Sequence, residues 1–178
     1  MKKSFSLLLV CLLMSAGFAK LNAQGLSFDT LKAQFIKDWE RAKAYTGEYL
    51  ATMPADKFSF RAQDSIRTFA QQMLHLSMGN LGLGANGTGA TAIFGGFNME
   101  KSPTAQNKDS VTYYVNASYD FVINGLKAMD AAKLGETQGR FTRYVWVMKT
   151  FEHQTHHRGQ CTIYIRLLGI KPPNERLF

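Results

Sequence analysis

The sequence predicts an all-α fold, a four-helix bundle with a long glycine-rich connection between its second and third helices. Three observations carry that expectation. Four segments repeat apolar residues at three- and four-residue steps. None shows the two-residue alternation of a half-buried strand. Polar caps and Gly or Pro stops bound the periodic stretches.

The first helix is expected over residues 27–53, where Leu31, Phe35, Trp39, Ala42 and Tyr49 recur at helical spacing. Ser27 or Asp29 can cap it, and Pro54 closes it. A polar connection over 55–63 contains Phe58 and Phe60, which should tuck under the bundle. The second helix is expected over 64–78, with Ile66, Phe69, Met73 and Leu76 on one stripe and Gly79-Asn80 as its stop. The third spans 109–134, with Asp109 as N-cap and Val111, Val115, Leu126 and Met129 facing inward. The fourth spans 142–168; Gly169 should end it in a left-handed cap, and Pro172-Pro173 forbids continuation.

Between helices 2 and 3, the stretch 79–108 holds seven of the 15 glycines. A loop that long in a compact domain is usually functional or mobile, and it would let helices 2 and 3 be parallel or non-adjacent. Gly82-Leu83-Gly84-Ala85-Asn86-Gly87 matches the dinucleotide fingerprint by letter. That motif needs a preceding strand and a following helix N-terminus to hold a pyrophosphate. Here a helix precedes and more loop follows, so a connector or flexible lid is expected instead.

The N-terminus reads as a targeting segment. Lys2 and Lys3 precede an almost wholly apolar run, residues 5–14, followed by the small residues Ser15, Ala16, Gly17, Ala19 and Ala23. This is the three-part pattern of a secretory signal peptide, and its apolar run is too short for stable membrane insertion. Cleavage fits after Ala19 or, preferably, after Ala23. That leaves residues 24–178 as one exported domain, periplasmic or secreted. Its formal charge falls from +8 for the whole chain to about +5 as Lys2, Lys3 and Lys20 leave. No Lys/Arg run or basic stripe remains, so nucleic acid is not an expected partner. Cys11 leaves with the signal and Cys161 has no partner for a disulfide, so the domain must rest on its apolar core or a bound ion.

The chemistry concentrates in His153-Gln154-Thr155-His156-His157. His153 and His157 lie four residues apart, on one helix face, with Cβ atoms about 5–6 Å apart. Two imidazoles so placed can reach one metal ion at about 2.0–2.1 Å. His156 is turned away by about 100°. Cys161 cannot join them, because the rise from His153 is about 12 Å. A third ligand must therefore come from another helix, and the histidine left is His75 on helix 2. Three protein ligands with an open fourth position match catalytic rather than closed structural sites. A zincin peptidase is excluded, because Gln154 stands where HExxH needs its general base. Glu152 is at best a group that orients an imidazole. No catalytic residue can be named from the sequence.

The closing stretch His153-Gln154-Thr155-His156-His157-Arg158-Gly159-Gln160, then Thr162 through Leu168-Gly169-Ile170-Lys171-Pro172-Pro173, resembles the last helix of DinB-like (damage-inducible) proteins. Residues 53–61 resemble the family's first interhelical loop, and residues 65–76 its second helix, with His75 as the first histidine. The resemblance implies a four-helix bundle, often a homodimer, with a divalent metal held at His75, His153 and His157. In such proteins the ion is taken to be zinc, nickel, iron or manganese. Relatives implied by the resemblance include thiol-dependent transferases, a maleylpyruvate isomerase and proteins regarded as metal-dependent hydrolases. This chain departs from the pattern at Cys161, where an aliphatic residue is usual, and in its export signal. The sequence-level expectation is an exported metal-dependent hydrolase or transferase acting on an unknown small-molecule substrate. The alternative is a non-catalytic metal-stabilised or stress-response bundle acting as an interaction module. Of the remaining motif residues, Gly159 should permit close helix packing, Arg158 and Gln160 should hold neighbouring helix ends or a loop, and Trp39, Trp146 and Tyr164 should be core.

Overall fold

A computed structural model describes residues 25–178. The signal-peptide reading of residues 1–23 lies outside them. Four helices dominate: α1 (Phe28–Thr52), α2 (Phe69–Thr88), α3 (Lys108–Ala128) and α4 (Arg143–Leu167). A two-residue antiparallel pair, β1 (Thr137–Gln138) and β2 (Phe141–Thr142), leads into α4. No described helix is long and apolar enough to cross a membrane.

Cross-helix contacts give the topology. Asn80 meets Ser118, Gly84 lies against Val122, and Thr88 lies against Gly125, so α2 and α3 run parallel. Gln72 meets Gln160, Gly79 faces His153 and Gly87 faces Val147, so α2 and α4 are antiparallel. Thr46 meets Tyr119 while Lys127 reaches Glu40, making α1 and α3 antiparallel. Phe35 meets Tyr144 and Tyr49 meets Thr162, making α1 and α4 parallel. The helices pack in the cyclic order α1-α3-α2-α4. Two parallel helices consecutive in sequence need a chain that climbs back along the bundle. The connection between α2 and α3 does this, through 3₁₀ turns at Met99–Lys101 and Pro103–Ala105.

The helix boundaries follow local chemistry, with corrections at α2 and α3. At α1, Ser27 rather than Asp29 is the cap, its hydroxyl accepting from the Thr30 amide. Helix α2 begins at Phe69, five residues later than expected, because Thr68 and Gln71 form a reciprocal capping box. It then runs ten residues past its expected stop, and Gly89 ends it at φ +78°. Helix α3 begins at Asn107, whose side chain caps Ser110, and ends at Ala128. Residues 131–135 form a separate 3₁₀ turn under an Asp130 cap. Helix α4 starts at its Thr142 cap as expected, and Gly169 follows it at φ +73°.

Helix propensity argued against continuing α2 through its glycines, each costing about 1 kcal/mol against Ala. Close packing decides otherwise. A Cβ on Gly84 would lie 2.8 Å from Val122 Cγ2, and one on Gly87 would lie 2.8 Å from Val147 Cγ2. On Gly79 it would collide with the His153 ring. The missing side chains let α3 and α4 approach the α2 backbone, so lost propensity is exchanged for contact. The dinucleotide-like letters therefore lie inside a helix, where no phosphate cradle exists. Gly159, expected to serve close packing, instead faces open space.

At the centre, Trp39 is fully buried and meets Tyr119 and Phe151 edge-on, at 5.6 and 5.5 Å. Tyr119 donates to Gln154 at 2.7 Å, and burial raises its phenol to about 12. Arg158 is not at a helix end. It is buried, donates to Gln154 at 3.1 Å and stacks over Tyr45 at 4.6 Å. Phe58 is buried and Phe60 packs against the core edge, as expected.

Candidate metal centre

The antiparallel packing of α2 on α4 sets His75 opposite His153 and His157. Ring centroids are 5.3 Å apart for His75 and His153, and 4.5 Å for each of the other two pairs. One ligand atom from each lies within 4.8 Å of the others. His157 is buried; His75 and His153 are half-buried at the bundle edge. The three residues singled out from the sequence are thus brought together.

Their outer partners decide which nitrogens are free. His75 Nδ1 lies 2.9 Å from Glu100 Oε2, and His157 Nδ1 lies 2.8 Å from Gln72 Oε1. Both partners are oxygen acceptors, so each Nδ1 carries a proton and Nε2 is the nitrogen each ring can offer to an ion. Gln72 is fixed in turn: its Nε2 donates to Gln160 Oε1 at 2.5 Å, and Gln160 Nε2 meets His156 Nε2 at 2.8 Å. Glu100 also accepts from Arg67 Nε at 2.7 Å. His153 Nδ1 is buried with no hydrogen-bond partner. Unsatisfied buried nitrogens are uncommon because they forfeit solvation.

These features fit a cation. The donors are three imidazoles, two of them are oriented through Nδ1 in the manner of metal-bound histidines, and one buried nitrogen lacks a partner. Gly79 leaves the space the His153 ring fills.

Other expected participants fall outside. Glu152 is exposed and pairs with Lys149 at 2.6 Å, so it does not orient an imidazole. Glu100 does so, from the connection. Nothing in its neighbourhood announced that role, because the contact depends on how the connection climbs. Gln72 could have been found from its spacing: three residues before His75, it shares that helix face. Cys161 is fully buried, and burial pushes its thiol above the ordinary range.

Burial lowers the His153 imidazole, with His75, His156 and Arg67 adding repulsion. The same kind of environment takes His157 down to about 3, with burial the first cause and then His153, His75, His156 and Arg67. A histidine held neutral in the fold and free to protonate near 6.5 when unfolded takes up protons in the unfolded state first. The metal-free protein should therefore be insensitive to this group above about pH 6.5 and lose stability as pH falls toward 3. Urea midpoints measured in chelator from pH 7.5 to 4 check this. A His157→Gln variant with an undiminished slope would contradict the assignment.

A model of the DinB family matches residues 24–176. Two solved structures share the fold. A DinB-like protein from Bacillus cereus ATCC 10987 superposes with TM-score 0.67 at 20% identity, covering 80% of this chain and 95% of its own. A DinB-like protein from Bacillus subtilis superposes with TM-score 0.62 at 16% identity, covering 79% and 96%. No curated protein matches the chain.

Proposed function

We propose that this chain, which belongs to the DinB family, is an exported metal-binding protein acting as a metal-dependent hydrolase or transferase on a small molecule. The observation that carries the reading is the convergence of His75, His153 and His157, from two helices, within 4.8 Å. Of zinc, nickel, iron and manganese, the first three suit three imidazoles, whereas manganese favours oxygen ligands. Such an ion, with three protein ligands, would supply a Lewis acid and a site for an activated water or a substrate atom. The chain's own part is to hold three imidazoles in place: Glu100 engages His75 Nδ1, Gln72 engages His157 Nδ1, and Gly79 admits the His153 ring. Export rests on the N-terminal pattern of residues 1–23.

Metal analysis of gently purified protein should return one divalent ion per chain, and Co(II) substitution should give the visible spectrum of an ion with an exchangeable position. Protein that neither carries nor takes up such an ion would defeat the reading. A second reading has its own support, because the ligands tie α2 to α4 and His157 is buried. A cation there would act as a staple between helices, contributing to stability in proportion to its occupancy. A large fall in Tm on chelation, with a Co(II) spectrum indifferent to added anions, would favour the staple over the enzyme.

A further inference from the structure

Beside the histidine cluster the connection roofs a second feature. A cavity of about 220 Å³ is lined by Met78, Leu81 and Gly82 of α2 and by Ile93, Phe94 and Met99 of the connection, among others. Met78 follows His75 by three residues and Gly82 follows Gly79 by three, so the cavity continues the α2 face that carries the site. On the other side, Met99 adjoins Glu100, which holds His75 Nδ1. The cavity thus lies one helical turn along α2 from His75 and one residue along the connection from Glu100.

The roof is built rather than slack. Phe94 sits at φ +67°, a left-handed conformation that is strained for a bulky residue. Gly95 and Gly96 continue the turn at φ +48° and +82°. Packing holds Phe94 there: its ring meets Tyr114 at 5.2 Å and Tyr113 at 6.0 Å, and Phe97 meets Tyr114 at 6.1 Å. The fold holds a strained aromatic turn against α3 and keeps an apolar hollow open next to a candidate metal. Filling the hollow would bury more apolar surface. A larger cavity of about 700 Å³ lies between α1 and α3 and is lined by no residue of α2 or of the connection that carries Glu100.

We propose that the smaller cavity is the subsite for an apolar or aromatic group of the substrate, with the metal-facing end of that molecule at the histidine cluster. The assignment rests on the metal reading above. Its size suits a phenyl ring with a short linker, since a dry cavity of about 150 Å³ already takes benzene.

Two measurements test it, one with metal and one without. Gly82 lines the cavity, and a Cβ there meets nothing within 4 Å, so Gly82→Phe sets a ring at the cavity wall with free space at its first carbon. Gly47→Phe, on the distant α1 groove, is the control. In Co(II)-loaded protein, followed by its visible spectrum, benzohydroxamate should bind about tenfold or more tighter than acetohydroxamate. Gly82→Phe should bring that ratio near one and leave acetohydroxamate unchanged, while Gly47→Phe keeps the wild-type ratio. In metal-free protein, benzyl alcohol should shift the Met78 and Met99 methyl resonances in the wild type and not in Gly82→Phe. A ratio near one in the wild type, or a ratio that survives Gly82→Phe, overturns the subsite. Failure to take up Co(II) overturns the metal reading instead, and unshifted methyls then overturn the cavity as a ligand site on their own.

Discussion

His153→Ala should abolish tight binding of a divalent metal while leaving a folded bundle. Three imidazoles supply the whole protein share of the proposed coordination. Removing one leaves two nitrogens and a space where the ring packed against Gly79. His75→Ala and His157→Ala should act alike on the metal but differ on the fold. His157 is buried, and its removal leaves the Gln72 carbonyl without a donor, at about 1–3 kcal/mol. Competition titrations against a chromophoric chelator give the affinities. The orienting residues set a graded comparison: Gln72→Ala and Glu100→Ala should each weaken binding by roughly 10–100-fold, well short of losing a ligand. Ligand variants that bind like the wild type, or orienting variants as damaging as ligand variants, would contradict the arrangement.

That grading separates a metal centre from a polar cluster that merely packs. In a packing cluster, Glu100 would matter through its ion pair with Arg67, which is more than a third exposed on the arginine side and so worth little. In a metal centre it matters because the proton on His75 Nδ1 decides where the lone pair points. Glu100→Gln divides the two readings. It keeps an oxygen acceptor for Nδ1–H but not the charge for Arg67, so it should retain more metal affinity than Glu100→Ala.

The fold class and the His153–His157 pair could be read from the sequence because each rests on spacing within one helix. The four-residue step from His153 to His157 fixes two ligands on one face whatever the rest of the chain does. His75 followed because few histidines remain once that pair is taken. The unread parts depend on tertiary contact. Glu100 reaches His75 across 25 residues of chain whose path no local rule specifies. Thr68 outcompetes Asp64 as the start of α2 because Gln71 answers it, and because the Phe69 and Ala70 amides bond back to Phe60 and Phe58. The largest misreading was of glycine. Its residues in α2 look like punctuation in one dimension and act as contact surfaces in three.

That inversion predicts opposite signs for two substitutions in the same helix. Propensity alone makes both favourable, because leucine in a helix interior gains nearly 1 kcal/mol over glycine. At Gly82 the first carbon meets nothing within 4 Å and the position lines the apolar hollow, so Gly82→Leu should raise stability by up to about 1 kcal/mol. At Gly87 even the first carbon would stand 3.1 Å from the Val147 amide nitrogen and 2.8 Å from Val147 Cγ2. Backbone nitrogen cannot rotate aside, and α4 is held in register there by the Thr142 cap and by Arg143, which donates to the Asn86 carbonyl at 3.1 Å. Gly87→Leu must push α4 from α2, at the upper end of the overpacking range, about 3 kcal/mol. For a chain of this length that corresponds to a fall in Tm of roughly 6–12 °C. Differential scanning calorimetry of the two variants decides it. If α2 ended near residue 78 and the glycines lay in a loose connector, neither leucine would move Tm by more than a degree or two. A fall at Gly87 with a rise at Gly82 requires the continuous helix, packed through its bare backbone against α4, that also places His75 and Gly79 against the histidines of α4.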